Sequence, residues 1–100
     1  MAHQIKWTLR AKESYDSNIS YLEKEWTERE IKNFVIAVEE KLQLVAIFPE
    51  LFVTTNKRKH IHKTIINKQV VLFYRHYKTL KHIELLLFWD SRKNPAKLKL

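Results

Sequence analysis

The sequence predicts an α+β domain of order β-α-α-β-β-β, with two helices packed on one face of a small antiparallel sheet. Three observations predict it. Apolar residues recur with a period near 3.6 up to Pro49 and with a period of 2 beyond it. Thr27 followed by Glu30 matches a capping box, a helix-start signal in which hydroxyl and carboxylate each satisfy an orphan backbone N–H. The charge is also divided along the chain. Residues 1–50 carry nine acidic and seven basic side chains, net −2, whereas residues 51–100 carry two acidic and twelve basic, net +10.

The elements follow in order. His3 to Leu9 reads as a strand, with Ile5, Trp7 and Leu9 alternating against Gln4, Lys6 and Thr8. A helix from about Ala11 to Lys24 sets Tyr15, Ile19 and Leu22 on one face. From Thr27 a longer helix carries the stripe Ile31, Phe34, Val35, Val38, Leu42 and Val45, and Pro49 closes it through its restriction on Phe48. Lys59 to Ile66 then reads as a strand with Ile61 and Ile65 on one face and His60, His62 and Thr64 on the other. Asn67-Lys68 suits a tight turn. Val70 to Tyr77 and Leu80 to Trp89, separated by a bend at Lys78-Thr79, complete a three-stranded meander. Trp7, Trp26 and Trp89 are expected in core or helix–sheet packing. The sheet face away from the helices is expected to carry much of the second half's charge.

Composition narrows the function. One hundred residues make a single domain, 1–100, with one modest core. Three Trp, four Tyr and five Phe are more than a disordered basic tail would hold. There is no cysteine, hence no disulfide framework or thiolate metal site. Glycine is absent too, which removes phosphate-cradling loops of the Walker and Rossmann kind, so no nucleotide or other small-molecule cofactor is expected. No apolar run approaches the roughly twenty residues of a membrane span, and the first residues lack a signal-peptide core, which points to the cytoplasm and no membrane partner. Between Leu51 and Ile83 there is no Asp or Glu, while the run Lys57-Arg58-Lys59-His60-Ile61-His62-Lys63 and then Tyr74-Arg75-His76-Tyr77 fall there. Such excess positive charge points to a polyanion partner. Lys57-Arg58-Lys59 also reads as a solvated edge that guards against strand pairing. His60 and His62 alternate as a metal pair would, but no cysteine or acidic neighbour completes a coordination shell, so no metal is expected there.

Several local patterns occur together, in order, over almost the whole chain. They are Trp7-Thr8-Leu9-Arg10-Ala11 at the end of the first strand, Tyr21-Leu22 ahead of Trp26-Thr27-Glu28-Arg29-Glu30, and Pro49 before a basic strand. Leu72-Phe73-Tyr74-Arg75 and the closing Leu86-Leu87-Phe88-Trp89-Asp90-Ser91-Arg92 complete the set. With the element order, they resemble the RelE/ParE superfamily, the toxins of type II toxin–antitoxin pairs. The resemblance implies a cognate antitoxin protein as partner. It also implies one of two targets, mRNA on the ribosome, cut by an endoribonuclease, or DNA gyrase, poisoned without catalysis.

RNA cleavage on such a fold is implied to be metal-free. A side chain takes the proton of the 2′-hydroxyl, cations stabilise the phosphorane, and an acid protonates the 5′-oxygen. The candidates for that work are Lys59, His60, His62, Arg75, Tyr77 and Arg92, with Lys57, Arg58, Lys63 and Lys93 as further nucleic-acid-binding residues. If His60, His62 and Arg75 turn the same way, a phosphate fits between them. Arg75 has a second reading, an ion pair with Glu84 or Asp90 on the neighbouring strand, and Arg92 has one with Asp90. RelE-like nucleases commonly offer a Tyr or His-Tyr near the C-terminus. This chain ends Asn94-Pro95-Ala96-Lys97-Leu98-Lys99-Leu100, with neither, so Tyr77 or His76 would have to substitute. Arg92-Lys93-Asn94-Pro95 is compatible with the ParE-like branch, which needs no catalytic set. A toxin that retains only antitoxin binding, and a non-toxic nucleic-acid-binding domain, are the remaining readings.

Overall fold

The computed structural model describes residues 2–25 and 27–100, so Trp26 lies outside the described residues. Strand β1 (Gln4–Trp7) leads into helix α1 (Leu9–Glu25), and α2 (Glu28–Ile47) follows. Strands β2 (Thr54–Asn56), β3 (Ile61–Ile65), β4 (Val70–Tyr77) and β5 (His82–Asp90) come next, then one 3-10 turn at Pro95–Lys97. The sheet runs β1-β5-β4-β3-β2. The meander β3-β4-β5 is antiparallel, as the period-2 pattern predicts. The sheet as a whole is mixed, because β1 lies parallel to β5, with Gln4 opposite His82 and Trp7 opposite Leu85. No hairpin links these two strands, so nothing imposes the antiparallel direction. The additional strand β2 pairs with β3 through an irregular register. Its three residues, Thr-Thr-Asn, are too few to show a period.

Thr8 makes the junction between β1 and α1. Its hydroxyl donates to the Leu85 carbonyl at 2.8 Å and accepts the Ala11 N–H at 3.0 Å. One side chain thus caps the helix and extends the strand pairing. The helix accordingly starts at Leu9, two residues before the sequence places it. Thr27 is indeed the N-cap of α2, but its side chain makes no capping bond; its carbonyl takes the Glu30 and Ile31 N–H groups at 3.1 and 3.2 Å. The expected reciprocal box is therefore not formed. Past Trp7, β1 has ended and the edge of β5 would be bare. Helix α1 covers it: Ser14 Oγ accepts the Phe88 N–H at 3.0 Å, and Asn18 Nδ2 donates to the Phe88 carbonyl at 3.2 Å.

The helix-facing core gathers Ala11, Leu22, Phe34, Val38 and Val45 against Val70, Leu72, Tyr74, Ile83, Leu85 and Phe88. The predicted stripes of both helices supply their half of it. Trp7 stacks on Phe88 and meets Tyr15 edge-on, each with 5.4 Å between centroids. A β-bulge shapes the other half. Phe73 lies opposite Leu87 and Tyr74 opposite Leu85, so Leu86 is the extra residue. It resets the alternation of β5: Ile83, Leu85 and Phe88 point to the helices, whereas Leu87 joins Ile61 and Phe73 on the outer face. Val71, Leu86, Trp89 and Leu98 pack on this second cluster. The Arg10 guanidinium donates to the Lys99 carbonyl and ties down the tail that brings Leu98 there. The outer face is therefore apolar over this part, not a continuous field of charge.

Strand β3 also sits otherwise than its sequence suggests. His62 and Thr64, only 6% and 4% exposed, turn inward, while Ile65 is 66% exposed. The pairing decides this. Tyr74 and Leu72 must face the helices, and His62 and Thr64, their partners across the ladder, follow them inward.

Replacing Thr8 with Ala removes the α1 cap and a bond to β5 together. The expected loss is about 1–2 kcal/mol, read as a fall in Tm of roughly 4–8 °C per kcal/mol for a domain of this size. An unchanged Tm would show that the junction does not depend on the hydroxyl.

Candidate functional site

Two turns meet at one end of the sheet and concentrate its charge. Between β2 and β3, the Asn56 side chain accepts the Lys59 N–H at 3.1 Å and the Lys57 carbonyl takes the His60 N–H at 3.3 Å. The chain reverses on His60 itself, at φ 56°, and between β4 and β5 on Lys81, at φ 50°. Without glycine, ordinary residues fill both left-handed positions, at a cost of about 1–2 kcal/mol each. The His60 carbonyl accepts the His76 N–H at 3.0 Å, which fixes this turn beside the end of β4. Lys57, Arg58, Lys59, His60, Lys78 and Lys81 are thereby brought to a single corner.

At that corner His60, Arg75, His76, Tyr77, Lys78 and Thr79 line a groove of about 290 Å³. Arg75 and Tyr77 stand on the outer face of β4. An Arg75 terminal nitrogen donates to Tyr77 Oη at 3.2 Å and lies 4.0 Å from a Glu84 carboxylate oxygen, and Tyr77 Oη donates to that carboxylate at 3.4 Å. Glu84 is opposite Arg75 in the ladder, so the second reading of Arg75, an ion pair across the strands, holds with Glu84. The guanidinium keeps 30% of its side-chain surface exposed, and its Nε is buried without a hydrogen-bond partner. An arginine held on one side and open on the other suits an incoming oxyanion.

The remaining candidates do not join this groove. His62 is turned to the helix side, where Nδ1 lies 3.1 Å from the Phe52 carbonyl and the ring stacks on Tyr74 with centroids 5.2 Å apart. A phosphate held between His62 and Arg75 is thus ruled out by the opposite faces they occupy. Arg92 and Lys93 follow the far end of β5. At a rise of about 3.3 Å per residue, Asp90 at the end of β5 stands roughly 20 Å from Glu84, the partner of Arg75. There Arg92 grips Asp90 with two bonds, at 3.0 and 2.7 Å, donates to Tyr21 Oη at 2.7 Å and lies over the Tyr21 ring. It is a structural clamp on α1. Lys63 is exposed on the outer face of β3, and Lys57, Arg58 and Lys59 are exposed in the turn. Two residues of the corner were not among the site candidates from sequence: Lys78 was not singled out, and Glu84 was named only as an ion-pair partner for Arg75. Lys78 holds Glu50 at 2.9 Å, which keeps that carboxylate below its usual value. Their only sequence signal was position, in the turn and opposite Arg75. Among the described residues no three His, Asp or Glu side chains form a metal-binding group, and no helix is long and apolar enough to cross a membrane.

Two helices on one face of a five-stranded mixed sheet, in this order, make the fold of the RelE/ParE-like toxins. Three solved structures share it. They are a chain of the RelBE2 toxin–antitoxin complex of Mycobacterium tuberculosis (TM-score 0.62, 11% identity, 90% of this chain and 99% of that one), a chain of the chromosomal ParDE system of P. aeruginosa (TM-score 0.70, 12% identity, 89% and 96%), and the YoeB/ParE toxin of Agrobacterium tumefaciens (TM-score 0.61, 11% identity, 87% and 96%). No family model matches the chain, and no curated protein does. At such identities the likeness is one of fold.

The Arg92 clamp gives the protein an acid-sensitive element. Hydrogen bonds from Arg92 hold the Asp90 carboxyl below its ordinary value of 3.8. A depressed carboxyl stabilises the folded state above its unfolded pKa, and that contribution is lost as pH falls through the folded value. Asp90→Asn should lower Tm at neutral pH and flatten the loss of Tm on acidification below about pH 4. Equal acid slopes in the variant and the wild type would refute the clamp.

Proposed function

We propose that this chain is the toxin of a type II toxin–antitoxin pair, acting in the cytoplasm, and that it cleaves mRNA on the ribosome. The observation that supports this best is the convergence of an imidazole, a guanidinium and a phenol on one groove at the basic corner. In this reading His60 takes the proton of the 2′-hydroxyl, Arg75 holds the phosphate and spreads the phosphorane charge, and Tyr77 gives a proton to the departing 5′-oxygen. Tyr77 then does the work that the resemblance gives to a tyrosine near the C-terminus. Lys57, Arg58, Lys59, Lys63 and Lys78 add a field that draws the RNA backbone. Two of the structural neighbours come from toxin–antitoxin complexes, which supports a cognate antitoxin as partner. An acidic antitoxin segment would complement the basic half and speed association.

One observation favours a second reading. Glu84 partly neutralises Arg75 and accepts from Tyr77. If that cluster serves stability alone, the basic surface binds a protein such as DNA gyrase and performs no cleavage.

Induced expression without an antitoxin, followed by pulse-labelling of protein and DNA synthesis, separates the two. The nuclease reading expects translation to stop first and mRNA fragments to appear. His60→Ala should reduce cleavage by about 10²–10⁴-fold, and Arg75→Ala should abolish growth arrest, with the fold of both retained by circular dichroism. Replication stopping first supports the gyrase reading. No growth defect contradicts a toxin of either kind.

A further inference from the structure

On the helix side of the sheet His3 meets His76, which also borders the groove, although 73 positions separate the two. Their Nε2 atoms are 3.3 Å apart. Each ring's second nitrogen has its own neighbour. His3 Nδ1 lies 3.1 Å from the Ala46 carbonyl, an acceptor that fixes the ring proton there and leaves a lone pair on Nε2. His76 Nδ1 lies 3.8 Å from a Glu50 carboxylate oxygen and has no hydrogen-bond partner, although His76 is only 5% exposed.

No neutral arrangement of protons suits this pair. With its proton on Nε2, His76 donates to His3, but its Nδ1 lone pair is then buried and faces a carboxylate. With its proton on Nδ1, His76 faces Glu50 correctly, but two lone pairs confront each other across 3.3 Å. A buried polar group left in either state destabilises the fold. A divalent cation bound by both Nε2 atoms removes both conflicts.

We propose that His3 Nε2 and His76 Nε2 form a two-histidine site for a late first-row divalent ion of the zinc class. Zinc–imidazole bonds of about 2.0–2.1 Å at tetrahedral angles place two ligand nitrogens about 3.3 Å apart, the separation seen here. The outer contacts match those of ligating histidines, which pass their other N–H to a carbonyl or a carboxylate. The Ala46 carbonyl occupies one such position, and a Glu50 carboxylate oxygen stands 3.8 Å from the other, His76 Nδ1, without bonding it. Imidazole donors without thiolate select zinc, copper or nickel over magnesium or calcium. Both rings line an open cleft of about 720 Å³ with Pro49, Glu50, Lys78 and Lys81, which leaves room for water at the two remaining positions. This site is independent of the RNA-cleaving reading.

Calorimetric titration of the full chain with Zn²⁺ tests it, together with X-ray absorption of the zinc-loaded wild type. The site predicts one Zn²⁺ per chain and two imidazole nitrogens in the first shell. It also predicts affinity at least about tenfold weaker in His3→Gln and in His76→Gln, and unaltered in His82→Gln. Failure of the wild type to bind zinc more tightly than His3→Gln would overturn it. So would binding retained in His76→Gln, which would assign the metal to the N-terminal segment alone. Should His76→Gln fail to fold, the absorption count decides: fewer than two imidazoles refutes the pair.

Discussion

The structure hangs on β5. It is paired on both sides, parallel to β1 and antiparallel to β4, and the extra residue Leu86 interrupts its alternation. Without that bulge, Leu85 and Leu87 would share a face and Phe88 would turn away from the helices. With it, one strand supplies Ile83, Leu85 and Phe88 to the helix-side core and Leu87 to the outer cluster. The same strand closes both ends of the molecule. Glu84 holds Arg75 at one end, and Asp90 holds Arg92 at the other.

This division explains where the excess charge goes. A sheet face that carried all of it would repel itself over its whole area. Here the tail, through Leu98 and the Arg10 tether, covers the middle of the outer face with apolar contacts. The cations are left to the turns, where they reach water freely. The corner they form holds His60, Arg75 and Tyr77 around a groove of about 290 Å³, and the rest of the fold keeps those three in place. Thr8, Ser14 and Asn18 contribute from a distance, since they satisfy the free edge of β5 and hence fix the strand from which Glu84 projects.

Much of the fold was legible in the sequence. The stripe from Ile31 to Val45, the stop at Pro49 and the turn at Asn67, whose side chain accepts the Gln69 and Val70 N–H groups, rest on local rules, and local rules carried them. What was not legible depends on partners far along the chain. The inward turn of His62 follows from Tyr74 across the ladder, the bulge at Leu86 from the junction of two cores, and the parallel course of β1 from a strand at the other end of the chain. Thr27 carried the stronger capping pattern, yet Thr8 is the residue whose hydroxyl caps, because Leu85 is there to receive its proton. The site was half legible for the same reason. His60, Arg75 and Tyr77 lie in the basic stretch that the charge marks, whereas Glu84 matters only once Arg75 stands opposite it, and the contact of His3 with His76 has no local trace at all.

Native-state hydrogen exchange resolved by residue tests the central role of β5 most directly. If both cores and the corner depend on it, the amides of Leu85 and Phe88 exchange only through global unfolding, with the free energy measured by denaturant, while those of β2 and the tail open at lower cost. Exchange of Leu85 and Phe88 through a local opening, at a free energy well below the global one, would contradict the account.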